Sequence, residues 1–195
     1  MRQVSVTKDI YTFDELSETI KKKLVDDHKL WKGWWDPCYE IINSIAKVLG
    51  IDIDRDKDKP AIYFDHLMGG GTAIFDGSYY HRNDSVRVIK KRYPKFRAIH
   101  DIAVELQDIQ KKYNYALEAT IIVTGTGHSM CIETYNSDYG SYVDEKKLEY
   151  CFRDFCNWMY YMIKTEYEKL NSAEAIIKSL RENEYLEDGT IYKEK

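Results

Sequence analysis

The stretch "HLMGGGTAIFDGSYY", from His66 to Tyr80, sets three consecutive glycines between two apolar-rich runs. Clustered glycines are where backbone amides close round phosphate groups. A Walker loop needs a Lys and a Ser or Thr after its last glycine and then a helix, so that the amides and the helix dipole face the anion. Gly71 is followed by Thr72 and a β-rich run, so the Walker pattern fails, and the dinucleotide G-x-G-x-x-G pattern fails on the same missing helix. Two readings stay open. The glycines are a plain turn, for which their freedom at positive φ is sufficient, or Gly70 and Gly71 form a nest of amides that holds an anion without a helix.

Five histidines offer acid–base chemistry. His28, His66, His81, His100 and His128 show no H-x-H, H-x-x-x-H or HExxH spacing, so no metal site is expected. His66 lies beside Asp65, His81 beside Arg82, and His100 has Arg97 one turn before it and Asp101 next to it. Each reads either as a surface or core-edge polar residue or as one member of an unannounced pocket. The four cysteines form no C-x-x-C pair and read as small buried hydrophobes; with no G-x-S-x-G either, no catalytic residue is assigned.

What remains is a concentration of rings followed by cations. Trp34, Trp35, Tyr63, Phe75, Tyr79 and Tyr80 stand near the glycine run, with Tyr93 beyond. Arg82, Arg87, Arg92 and Arg97 come close behind. A ring to stack a base and a guanidinium for phosphate are the minimum of a nucleotide pocket, whereas rings packed between sheet and helices beside solvated arginines are the plainer alternative. The expected ligand-binding set is Trp34, Trp35, Tyr63, Gly70, Gly71 and Phe75, together with Tyr79, Tyr80, His81, Arg82, Arg97 and His100. No cofactor is called for.

The elements that would position these residues follow from periodicity and punctuation. Near "YTFDELSE", Thr12 and Glu15 fit a capping box, while Ser17 equally fits the cap of a helix starting one turn later. "KGWWDP" stops the first helix at Gly33 and starts a second with Asp36 as cap and Pro37 at its first helical position; Trp35, Cys38, Ile41, Ile42, Ile45, Val48 and Leu49 mark its apolar face and Gly50 its end. "AIYFDHLM" and "TAIFDGSYY" form a hairpin around the glycines. A short helix stopped before Pro94, a longer one from Phe96 to Tyr113, and a second hairpin turning at Gly125-Thr126-Gly127 come next. The longest helix carries Leu148, Phe152, Phe155 and Met159; "SAEAIIKSLREN", capped by Ser172, and a terminal hairpin at Asp188-Gly189 close the chain. The order α-α-β-β-α-α-β-β-α-α predicts an α+β fold: an antiparallel sheet of two hairpins with helices packed on it, as one domain over residues 1–195.

Composition sets the outer limits. A net charge of −4 gives no general field toward nucleic acid, so duplex binding is not expected, though a local basic patch is compatible with it. The N-terminal stretch lacks a secretory h-region and no run is long and apolar enough for a membrane span, which predicts a cytoplasmic protein without a membrane partner. Aromatic residues make up 14%, seventeen of them tyrosines; that surplus suits surfaces that touch ligands or other subunits.

The segments "YTFDELSE", "WWDPCYEIINSIAKVLGIDI", "IYFDHLMGGGTAIFDGSYYH", "IAVELQDIQKKYNYALEATI" and "YLEDGTIY" together resemble small accessory proteins of tailed bacteriophages over nearly the whole chain. The shared pattern is F-D-E-L-S-E, then W-W-x-x-x-Y-E, then a glycine turn followed by F-x-G-x-Y, here Phe75, Gly77 and Tyr79. The aromatic residue and glutamine that commonly precede the turn are replaced near Leu67 and Met68. The resemblance implies a protein of the bacterial cytoplasm that blunts host defence. Some such proteins trap cyclic nucleotides or ADP-ribose-type signals as small homo-oligomers, some cover a defence complex as anti-CRISPR proteins do, and some cleave the signal. The first is the reading adopted: a nucleotide-type small ligand, held without catalysis. The protein inhibitor and the phosphodiesterase are the alternatives.

Overall fold

The computed structural model describes residues 8–65, 67, 70–125, 129–138, 140–143 and 145–193. His66, Met68, Gly69, Thr126, Gly127 and His128, on which parts of the hairpin and acid–base expectations fall, lie outside them.

In chain order, β1 (Tyr11–Thr12) leads into a single 3-10 turn, Phe13–Glu15, and α1 (Glu18–Asp26). Next come α2 (Asp36–Leu49), β2 (Ile51–Ile53), β3 (Arg55–Asp56), β4 (Lys59–Pro60), β5 (Ile62–Phe64), β6 (Ala73–Phe75) and β7 (Gly77–Tyr80). Then follow α3 (Ser85–Arg92), α4 (Arg97–Lys112), β8 (Leu117–Thr124), β9 (Ser129–Asn136), β10 (Ser141–Tyr142), α5 (Lys146–Leu170), α6 (Ala173–Leu180) and β11 (Glu184–Tyr185). The fold is α+β, with every strand pair antiparallel. Among the described residues no helix is long and apolar enough to cross a membrane.

The chain divides into two compact units, residues 35–165 and residues 1–34 with 166–195. In the smaller unit β1 pairs with β11, placing Tyr11 opposite Tyr185. Phe13, Leu16, Leu180 and Tyr185 form its core, with Ile20, Leu24 and Ile176 packed against them. Both cap signals at its start are used. Glu15 accepts the Thr12 N–H at 2.8 Å and closes the 3-10 turn, and Ser17 Oγ accepts the Ile20 N–H at 3.4 Å and caps α1. The terminal hairpin turns where expected, with Gly189 at φ +84 and the Thr190 N–H donated to Asp188.

The larger unit is built on a five-stranded sheet in the order β10-β9-β8-β7-β2. Strict alternation along β9 buries Met130, Ile132, Thr134 and Asn136 and exposes the residues between them, so one face of the sheet is a core face. Helix α5 covers that face: Phe152 meets Tyr79 at 5.2 Å and Cys156 Sγ lies 3.9 Å from Met130 Sδ, while Phe155 meets Phe75 of β6 edge-on at 5.8 Å. Helix α2 ends at Gly50, whose φ of +90 is the left-handed cap that its sequence position predicts.

Two local expectations need correction. The run "TAIFDGSYY" is not one strand: it breaks at Asp76 into β6, which pairs with β5, and β7, which enters the main sheet. The break is held by Asp76 itself, whose N–H goes to Ala61 O and whose carbonyl accepts from Asp54, while its carboxylate accepts the Val123 N–H at 2.5 Å and the Tyr63 hydroxyl at 3.1 Å. Asp36 is not the cap of α2 but its first residue; Trp35 occupies the cap position and makes no side-chain capping bond.

Candidate functional site

The end of β7 delivers three of the expected residues to the surface. Strand alternation turns Tyr79 inward, where it is 2% exposed, and leaves Tyr80 half-buried on the other face. Close approach of α2's end fixes the strand: the Tyr80 N–H bonds Gly50 O at 3.0 Å, and a Cβ on Gly50 would stand 2.0 Å from Tyr80 O. The Arg82 guanidinium lies over the Tyr80 ring, 4.6 Å from its centroid, and donates to the Tyr80 hydroxyl. Between them in sequence, the His81 ring sits 4.6 Å from that of Tyr115, tilted by 41°, with Nε2 3.1 Å from Asn83 Oδ1.

Tyr115 was not among the expected residues. It follows α4 at φ +63, after Asn114 at +52, and Asp84 beyond Arg82 stands at +62. The left-handed region is costly for a residue with a Cβ, and for a bulky one it persists only where the surroundings hold it. Gln110, fully buried in the last turns of α4, does the holding. Its backbone carbonyl accepts the Tyr115 N–H at 2.8 Å, and its side-chain amide donates to Leu117 O and accepts from Leu117 N. Nε2 also reaches the Tyr79 hydroxyl at 3.2 Å, so one side chain ties the loop of Tyr115 to the strand of Tyr80. The sequence signal was "YNY" after a helix: Asn114 suits a left-handed exit, but nothing local marks Tyr115.

The other expected residues are dispersed. Phe75 is wholly buried and, with Tyr79, belongs to the core, where burial pushes the Tyr79 phenol up to about 12. Tyr63 donates its hydroxyl to Asp76 at the break between β6 and β7, and Trp35 stands at the start of α2, about 20 Å of helix from the end that meets Tyr80. There Trp35 meets Phe64 edge-on at 5.9 Å and carries Lys59 Nζ 5.3 Å above its ring, beside a groove of about 530 Å³ lined by Tyr39, Asn43, Arg55 and Lys59. Trp34 falls in the smaller unit, buried against Tyr167 at 5.4 Å. Gly70 is exposed, and the Gly71 N–H is donated to the Tyr160 hydroxyl at 3.1 Å. Arg97 is exposed at the start of α4, and His100 donates from Nε2 to Tyr93 O at 2.9 Å.

The site at the end of β7 offers binding chemistry: a guanidinium braced on a phenol ring and two further rings, one of them 47% exposed. Asp84 is engaged by Arg87 at 2.9 Å, and that bond holds its carboxyl below the ordinary range. Cys151 and Cys156 are buried thiols, each pushed up to about 12 chiefly by desolvation, and so protonated at neutral pH. Among the described residues no group of three or more His, Cys, Asp or Glu is placed to hold a metal.

No curated protein and no solved structure matches the chain. One family model does, and its span takes in the whole five-stranded sheet with Tyr80, His81, Arg82 and Tyr115. The chain belongs to the family described as a domain of unknown function (DUF8835), which matches residues 34–173.

Proposed function

We propose that the protein is a non-catalytic binder of a nucleotide-derived signal, held at the end of β7 by the Arg82–Tyr80 pair and the His81–Tyr115 pair. One observation carries the reading: Arg82 is braced on Tyr80, and the next ring pair, His81 with Tyr115, is held by a tyrosine in a left-handed conformation. Strain of that kind is concentrated at sites of function. Arg82 supplies the bidentate phosphate contact, and the exposed Tyr115 face takes the base, a stack worth roughly 1–3 kcal/mol. Arg82 and Tyr115 are both exposed, which supports their being covered by a second copy of the chain. The resemblance to accessory phage proteins supports sequestration of an immune signal, a cyclic nucleotide or an ADP-ribose-type molecule, in the bacterial cytoplasm.

Calorimetric titration with cyclic nucleotides and cyclic ADP-ribose isomers tests the reading, and heat is expected with at least one. Denaturing the complex then returns the ligand intact if it is only held; a cleaved product means a phosphodiesterase instead. The absence of heat across the panel would defeat the proposal.

A further inference from the structure

Residues 82–97 hold seven cations and one carboxylate in a chain whose net charge is −4. Arg82 and Arg87 are exposed, and so are Lys90, Lys91, Arg92, Lys95 and Arg97. Only Arg87 among them has a carboxylate partner among the described residues, Asp84 at 2.9 Å. Helix α3 is anchored by Ile89, which is fully buried, and by Ser85. A turn of 100° per residue puts Arg87, Lys90 and Lys91 together on its outward face.

Helix electrostatics explains part of this strip and not the rest. Lys90, Lys91 and Arg92 occupy the last turn of α3, where cations meet the negative end of the dipole. Lys95 and Arg97 stand instead at the positive end of α4, whose first turn contains no acid. The like-charged pairs Arg87–Lys90 and Arg87–Lys91, at spacings of three and four, also weaken a helix of only eight residues. Lys95 and Arg97 are therefore placed where the dipole of α4 opposes them, and the charges of α3 crowd one another. A mononucleotide engaging Arg82 leaves most of this charge unsatisfied.

We infer that α3 and the start of α4 form a binding strip for single-stranded nucleic acid. Eight helical residues span about 12 Å, and the exposed Lys95 and Arg97 extend the track beyond α3. The strip adjoins the ring pair of His81 and the exposed Tyr115, and a positive track flanked by aromatic faces is how unpaired strands are held without sequence preference. In a duplex the base faces are stacked and beyond reach of such a ring. The strip shares Arg82 and the ring pair of His81 and Tyr115 with the small-ligand reading, and its lysines and Arg87, Arg92 and Arg97 are independent of it.

Fluorescence anisotropy of a labelled oligouridylate of about 12 nucleotides, within the usual site sizes, tests the strip. Low-salt binding is expected, with a log–log salt slope of about −3 if four phosphates are neutralised. The triple variant K90E/K91E/K95E is expected to keep its fold by circular dichroism and to lose binding more than a hundredfold, while its calorimetric response to mononucleotides is unchanged. Tyr115→Gly is expected to lose about tenfold. The inference is overturned if the oligonucleotide fails to bind at low salt, if a duplex of the same length binds as tightly, or if the triple reversal binds normally. Displacement by polyglutamate as effective as by unlabelled oligonucleotide also overturns it, in favour of an acidic protein surface.

Discussion

Gln110 and Leu117 bond each other in both directions: Gln110 Nε2 donates to Leu117 O at 2.7 Å, and the Leu117 N–H donates to Gln110 Oε1 at 3.2 Å. The side-chain amide thus stands in for a strand partner at the first residue of β8, in a position with no solvent access. Replacing Gln110 by Leu strips a buried N–H and a buried carbonyl of their partners at once, and the Tyr79 hydroxyl of its donor. Each orphaned group costs about 1–3 kcal/mol, so Gln110→Leu is expected to lower unfolding stability by about 3 kcal/mol. Urea denaturation reads this directly; a loss below about 1 kcal/mol means the amide is dispensable.

Gly50 permits the approach of α2's end to β7. At φ +90, with Tyr80 O only 2.0 Å from where a Cβ would stand, the backbone has no room to yield without moving the strand that carries Tyr80 and Arg82. Gly50→Ala is expected to cost about 3 kcal/mol or more and to weaken ligand binding in the fraction that folds. Gly125→Ala is the control, with φ +67 and nothing within 4 Å of its Cβ position. It is expected to pay the conformational cost alone. Thermal melts of the two variants should therefore differ, and equal losses would show that the contact with Tyr80 O contributes nothing.

How much was legible beforehand follows from where each determinant lies. Periods of 3.6 and 2 are local, so α2, α4, α5, β8 and β9 could be read from the spacing of residues such as Ile42, Ile45 and Leu49. The break at Asp76 could not, because Phe75 and Tyr79 are good strand formers on either side of it, and the partners that fix it, Ala61, Asp54 and Val123, are remote in sequence. The site shows the same division. Tyr80, His81 and Arg82 are consecutive and form the expected group, but Trp35, grouped with them by proximity in sequence, stands at the other end of α2, and Tyr63 is tied to Asp76. Tyr115 was invisible because its conformation opposes its own propensity and is imposed by Gln110. The seven cations of residues 82–97 were present in the sequence throughout. Sequence spacing alone does not distinguish Lys90, Lys91 and Lys95 from other solvated lysines; the fold exposes them beside the arginines of the same stretch.

Alkaline pH should unfold the protein through groups buried in their neutral form. Burial raises the Tyr79 phenol from 10.0 to about 12, and the Cys151 and Cys156 thiols from 9.0 to about 12. These groups ionise more readily in the unfolded chain. Their contribution is therefore fully present below pH 9 and is lost as pH rises from 9 to 12, with Tyr79 joining above pH 10. A shift of two units in one group corresponds to about 3 kcal/mol by the top of that window. Denaturation midpoints should be flat from neutral pH to about 9 and then fall steeply. Tyrosinate absorbance should show a cooperative step coincident with loss of circular dichroism. A midpoint that holds steady to pH 11 would mean that the buried phenol and thiols are not linked to folding.

Tyr115 separates the demands of binding from those of stability. At φ +63 its side chain is held against a conformational preference worth about 1–2 kcal/mol, which glycine does not oppose. Glycine in turn loses more chain entropy on folding, by about 0.5–1 kcal/mol, and forfeits the contact with His81 at 4.6 Å. These terms nearly cancel, so Tyr115→Gly is expected to fold with a stability within about 1 kcal/mol of the parent. If the ring is the stacking face for a nucleotide base, the same change removes a contact worth roughly 1–3 kcal/mol in binding and raises Kd by about tenfold or more. Calorimetry and urea denaturation on the one variant measure both quantities. Affinity lost at constant stability identifies Tyr115 as a binding residue whose strain is kept for function. A large loss of stability with unchanged affinity would instead make the ring pair a structural prop for the loop after α4.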